Sequence, residues 1–129
     1  MSKKILIIDD DKDMINLLQL RLEQKGYQVI SARDGTSGYE LIEKENPDLI
    51  ISDLLIPRLH GFELCKKVKE NAQLKHIPII LMTAVYKKTS YKVQGKKYGA
   101  DDYIQKPFEF PDLLSKVEKL ISPTSSDQS

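Results

Sequence analysis

The chain has 129 residues, 40% hydrophobic and 30% charged, with a net charge of +1. That size and balance fit one soluble-type globular domain with a single core. The near-neutral charge argues against a protein that offers its whole surface to nucleic acid or membrane. Cys65 is the only cysteine, so no internal disulfide can form, and a reducing compartment is the expectation. The N-terminus lacks the long apolar region of a signal peptide. No apolar run nears the roughly 20 residues of a membrane span, so the expected location is the cytoplasm.

Short branched apolar runs alternate with stretches of helical spacing. The first run, Ile5–Ile8, predicts a strand. Met14, Leu17, Leu18, Arg21 and Leu22 then recur at three and four residues, which predicts a helix with one stripe against a sheet. Gly26 is its expected stop. A second strand is predicted over Tyr27–Ser31, and a second helix over Gly35–Glu45, closed by Asn46-Pro47. The third run, Leu49–Ser52, is apolar enough for a central strand covered on both faces. Leu64, Val68 and Ala72 mark a third helix, which also holds Cys65 as a packed side chain. Ile77–Met82 is the fourth strand, Tyr86–Tyr98 the fourth helix, Tyr103–Gln105 the fifth strand and Pro111–Ile121 the fifth helix. Five β-α units in series predict an α/β fold: a parallel sheet with helices on both faces and right-handed crossovers. The domain is expected over 1–121. The last eight residues, "SPTSSDQS", have no core-forming side chain and predict a disordered tail or the start of a linker.

The first strand runs into "DDDKD", a concentration of like charge that needs a counterion. In an open α/β sheet, ligands bind beyond the carboxyl ends of the strands. Asp9 and Asp10 end the first strand and Asp53 ends the third, so three carboxylates converge if those strands are neighbours. Oxygen-only ligands with room for water suit Mg²⁺. Asp11 and Asp13 read instead as a helix cap and a first-turn acid. Along the same edge, "IILMTA" brings Thr83 and "DDYIQKPF" brings Lys106. Taken singly, Thr83 is an ordinary strand-end residue and Lys106 an ordinary surface lysine. Their position at consecutive strand ends is the signal. A carboxylate, a divalent cation, a hydroxyl and an ammonium together make a phosphoryl site, in which the carboxylate can form an acyl phosphate.

In "IIDDD", "PDLIISDLLIPRLHGFEL", "PIILMTA" and "GADDYIQKPF" the chain resembles the receiver domains of two-component response regulators, from Lys4 to about Ile121. The resemblance implies a flavodoxin-like sheet of order 2-1-3-4-5 with five helices. It implies Asp53 as phosphoacceptor, Asp9 and Asp10 as the acidic metal pair, and the Leu55 backbone carbonyl as a further Mg²⁺ ligand. It makes Thr83 the switch hydroxyl, Lys106 the phosphate-contacting lysine and Tyr103 the switch aromatic, although Tyr103 is equally readable as a packed tyrosine. Lys106-Pro107 is a place where the family commonly has a cis peptide. The implied phosphodonor is a sensor histidine kinase or phosphotransfer protein, with no nucleic acid or membrane bound by the domain itself. The implied output is a reshaped face of fourth helix, fifth strand and fifth helix. The family reading makes the chain a switch that promotes only its own phosphoryl transfer and self-dephosphorylation. Ile56 and His60 depart from common family residues in the third loop, and Gly95 lies inside the fourth helix. Apolar Leu55 and Val85, two residues beyond Asp53 and Thr83, predict slow loss of the phosphoryl group.

Lys87, Lys88, Lys92, Lys96 and Lys97 crowd the fourth predicted helix with no acid between Tyr86 and Tyr98. A solvated face explains them; so does a docking surface that pairs with Asp101 and Asp102 of a second copy, which predicts phosphorylation-dependent homodimers. The alternative function is a haloacid-dehalogenase-like metal-dependent phosphatase, with Asp9-x-Asp11 as its signature and Asp101-Asp102 as its late acidic pair. Against it stand Asp13 where that pattern wants Thr or Val, Lys106 placed after the pair, and a chain too short for the usual cap.

Overall fold

In a computed structural model of the chain, residues 2–83 and 99–121 are described. They form β1 (Lys4–Ile8), α1 (Lys12–Gln24), β2 (Gln28–Ala32), α2 (Gly35–Glu45), β3 (Leu49–Asp53), α3 (Gly61–Glu70), β4 (Ile79–Thr83), β5 (Asp102–Gln105) and α4 (Phe110–Leu120). The predicted fourth helix over Tyr86–Tyr98, with Val85, Gly95 and its five lysines, lies outside the described residues, as does the tail from Ser122. The helix predicted as the fifth is therefore α4.

All five strands lie in one parallel sheet of order β2-β1-β3-β4-β5, the order that the resemblance implies. Side chains alternate across a strand, and the two faces sort accordingly. Ile5, Ile7, Leu49, Ile51, Ile80, Met82 and Ile104 pack with Ile15, Leu18 and Leu22 of α1 and with Leu113 and Val117 of α4. Leu6, Ile8, Ile50, Ile79, Leu81 and Tyr103 pack with Ile42 of α2 and with Leu64, Cys65 and Val68 of α3. Burial on both faces is why Ile5–Ile8 of β1, Leu49–Ile51 of β3 and Ile79–Met82 of β4 are apolar without a break; each such side chain contributes about 1.5–3 kcal/mol.

The predicted stripe of α1 is corrected. Leu17 is 51% exposed, and the buried line is Ile15, Leu18 and Leu22. Arg21 does not cover the sheet; its guanidinium lies over the Phe110 ring, 4.7 Å from the centroid. Asp11 caps α1 as expected, accepting from the Asp13 and Met14 amides. Gly26 ends the helix at φ 97°, a conformation that costs glycine little, and lets the Tyr27 amide reach back to the Leu22 carbonyl. Ala72 is no part of the α3 stripe either. It is exposed beyond the helix end, and Leu74 takes the buried place. Strand β4 starts two residues later than predicted, at Ile79, because the Ile77 amide closes a turn onto Leu74 and Pro78 has no amide to give.

Candidate functional site

The sheet order places β1 between β2 and β3, so the chain after Ile8 emerges beside the end of β3. Asp9 extends the ladder by one bond, its amide donating to the Ala32 carbonyl at 3.2 Å. It is fully buried, Asp10 is exposed, and Asp53 at the tip of β3 is half-buried. One carboxylate oxygen from each lies within 4.8 Å of the other two. An octahedral Mg²⁺ with metal–oxygen distances of about 2.1 Å has ligand oxygens roughly 3–4 Å apart. The three carboxylates therefore need only a small closing movement to share one ion.

Lys106 comes from the end of β5, 97 residues after Asp9 in sequence. Its Nζ donates to Asp9 Oδ2 at 2.9 Å and lies 3.6 Å from Asp53 Oδ2. Burial alone would lower the ammonium's pKa. The hydrogen bond to Asp9 and the charges of Asp53 and Asp9 outweigh it, and the net shift is upward. Asp53 is also pushed above the ordinary carboxylate value. Burial is the main cause, Lys106 pulls the other way, and Asp9 and Asp10 add to the rise. Three carboxylates against one ammonium leave two negative charges unbalanced, which is the charge of one divalent cation. The donor set thus fits Mg²⁺ in kind, spacing and charge.

The main chain around Asp53 is tightly held. The Leu54 amide donates to the Met82 carbonyl at 2.8 Å, and the Gly61 amide donates to the Leu54 carbonyl at 2.9 Å. A Cβ on Gly61 would sit 2.9 Å from Leu54 Cα and 3.1 Å from the Asp53 carbonyl oxygen, so only glycine lets α3 start this close to the site. Leu55 follows on the open side, 59% exposed. In the same loop Ile56 is buried, Arg58 has a positive φ of 74°, and the His60 amide donates to Glu63 at 3.1 Å. The two departures from the family pattern thus leave a well-bonded loop.

Thr83 ends β4 beside the site, 2% exposed. Its carbonyl accepts from the Lys106 amide at 2.7 Å, which ties the two strand ends together. Tyr103 is buried, and with Thr83 and Gln105 it lines an open cavity of about 620 Å³. The Lys106-Pro107 bond is cis. Asp101 and Asp102 stand apart from the acidic cluster: Lys69 Nζ is 3.3 Å from Asp101, and Lys116 Nζ is 3.2 Å from Asp102. Arg33 has no role in the sequence reading. Its Nε and Nη2 both donate to the Asp10 carbonyl, at 3.2 and 3.0 Å. No local pattern signals it, because it is one exposed arginine after a strand.

A model of the response regulator receiver domain family matches residues 5–118. The chain is 40% identical over 121 residues to the alkaline phosphatase synthesis transcriptional regulatory protein PhoP of Bacillus subtilis, covering 94% of this chain and 49% of the relative. It is 39% identical over 121 residues to the DNA-binding dual master transcriptional regulator RpaA of Synechocystis, covering 94% and 50%. The chemotaxis response regulator CheY4 of Vibrio cholerae superposes with a TM-score of 0.88 at 31% identity, over 94% of this chain and all of that one. The chain belongs to the response regulator receiver domain family, the phosphorylation-dependent part of two-component signalling. That family is not one of catalytic enzymes, and the phosphatase alternative finds no support. The chain spans about half the length of the curated relatives it matches. Among the described residues no helix is long and apolar enough to cross a membrane.

Proposed function

We propose that this chain is a cytoplasmic phosphorylation switch that takes a phosphoryl group onto Asp53 from the phosphohistidine of a sensor histidine kinase or phosphotransfer protein. The observation that carries the proposal is the convergence of Asp9, Asp10 and Asp53 with Lys106 beyond the ends of β1, β3 and β5. An Asp53 carboxylate oxygen attacks phosphorus, the P–N bond breaks, and the imidazole leaves with the electron pair. Asp9, Asp10, Asp53 and the Leu55 carbonyl would hold Mg²⁺, which supplies positive charge to the phosphoryl oxygens. Lys106, already 3.6 Å from Asp53, turns its ammonium onto one of those oxygens. Thr83 offers its hydroxyl to another. Thr83 and Tyr103 share a cavity wall, so movement of the threonine toward the phosphoryl group opens room that the tyrosine ring can enter. Phosphorylation thereby favours a state already accessible to the domain. Exposed Leu55 has no group to orient attacking water, which supports slow self-dephosphorylation.

Incubation with Mg²⁺ and a small-molecule phosphodonor tests the reading. One phosphoryl group per chain, labile to hydroxylamine and absent from the Asp53→Asn variant, is the expected result. Stoichiometric labelling that persists in Asp53→Asn would overturn it. We further propose that phosphorylated chains pair through the face that carries β5 and α4. In support, Asp102 and Lys116 already form an ion pair there that two copies could exchange.

A further inference from the structure

The two residues that connect β2 to α2, Arg33 and Asp34, supply no carboxylate to the acidic cluster. They nonetheless bind both loops that flank it. Arg33 donates twice to the Asp10 carbonyl. Asp34 Oδ2 lies 3.5 Å from Arg58 Nε, and the next amide, that of Gly35, donates to the Pro57 carbonyl at 3.0 Å. Asp9 is buried and anchored by Lys106, and Asp53 is held by its strand. Asp10 is the exposed member of the three. Among the described residues, the hydrogen bonds that reach it from another element come from Arg33 alone.

We propose that Arg33 is a positioning residue of the acidic site: its guanidinium holds the Asp10 main chain so that the Asp10 carboxylate meets those of Asp9 and Asp53. The inference rests on the reading of that cluster as a Mg²⁺ site. A planar guanidinium suits the task, because two of its donors can share one carbonyl oxygen from a fixed direction. The sign of its effect separates positioning from charge. By charge alone, a cation beside the site repels Mg²⁺, and its removal tightens binding. As a positioning group it does the opposite, and its removal loosens one ligand. Partners of this outer kind are worth about 10–100-fold in metal affinity when buried; an exposed one belongs at or below the low end, roughly three- to tenfold.

Magnesium titrations at constant ionic strength test this, followed by calorimetry and by the amide chemical shifts of Asp9, Asp10 and Asp11. The dissociation constant is expected to rise roughly three- to tenfold in Arg33→Ala. Arg33→Lys, which keeps the charge and one donor, should fall between. Arg58→Ala removes the same charge from the other side of Asp34 without touching Asp10, and should leave affinity unchanged or tighter. An Arg33→Ala protein that binds Mg²⁺ as tightly as wild type, or more tightly, overturns the proposal. Should Arg33→Ala fail to fold, Arg33→Gln carries the same expectation and the same refutation. No saturable binding by the wild type would instead remove the magnesium reading, and this inference with it.

Discussion

Tyr27 shows how one residue can be well placed and incompletely satisfied. Its ring is buried in the cluster that holds Ile15, Leu18 and Leu22 of α1, while its hydroxyl has no hydrogen-bond partner among the described residues. Burial, with a smaller push from Glu118, raises the phenol from 10.0 to about 12. A buried hydroxyl without a partner costs about 1–3 kcal/mol. Tyr27→Phe keeps the ring and deletes the orphan, so its stability to urea should equal or exceed that of wild type by up to about 1 kcal/mol. A loss of more than that would show a missed partner. The pH dependence has a definite sign. The folded state favours the neutral phenol, so that contribution is complete below pH 10 and drains away as the pH rises from 10 toward 12. The Tyr27→Phe variant should lack this alkaline loss. Asp9, Asp10, Asp53, Thr83 and Lys106 could be placed near strand ends from the sequence, because strand ends are legible, and the structure brings Asp9, Asp10, Asp53 and Lys106 together. The sequence could not order their contacts. That Lys106 sits closer to Asp9 than to Asp53 is decided by the tertiary structure, because β3 and β4 separate β1 from β5 in the sheet.

Helix ends and helix faces were legible to different degrees. Caps are local, and Asp11 was readable as one. Asp34 plays the same part for α2, accepting from the Ser37 amide at 2.7 Å. That hydrogen bond, with help from the Ser37 hydroxyl and the Arg58 charge, holds its carboxyl below the usual 3.8. Asp34→Ala should lower the free energy of unfolding by about 1 kcal/mol at neutral pH. A depressed folded pKa means that the stabilisation is present above the unfolded value and vanishes as pH falls through the folded one. The gap between wild type and Asp34→Ala, measured by urea unfolding from pH 7 to 3, should therefore narrow at the acid end. A gap that widens would reject the cap as its source. The face of α1 was harder to read, because Met14, Ile15, Leu17, Leu18, Leu20 and Leu22 are all apolar and allow more than one stripe. Contact with Ile5, Ile7 and Ile51 selects Ile15, Leu18 and Leu22 and leaves Leu17 and Leu20 in solvent.

At the scale of the whole molecule, the proposed pairing of phosphorylated chains has a cost visible in the monomer. Asp101 is committed to Lys69 and to the Ile79 amide, and Asp102 to Lys116. Pairing between copies exchanges bonds that each copy already has, so a weak, phosphorylation-dependent dimer is expected. Sedimentation with Mg²⁺ and a phosphoryl mimic should show the shift at high concentration, and Lys116→Ala should reduce it. A monomer throughout would refute the pairing. Among the described residues, the order and type of the elements, the apolar middles of the central strands and the placing of Asp9, Asp53, Thr83 and Lys106 near strand ends were determined by the sequence alone. Each depends on periodicity or on position within a few residues, and those are local properties. The tertiary structure decided the rest: which line of α1 is buried, how closely Gly61 lets α3 approach Asp53, and that Arg33 reaches the Asp10 carbonyl. The Gly61 and Arg33 outcomes join residues 8 and 23 positions apart, and such contacts exist only once the sheet has brought its strand ends to one edge.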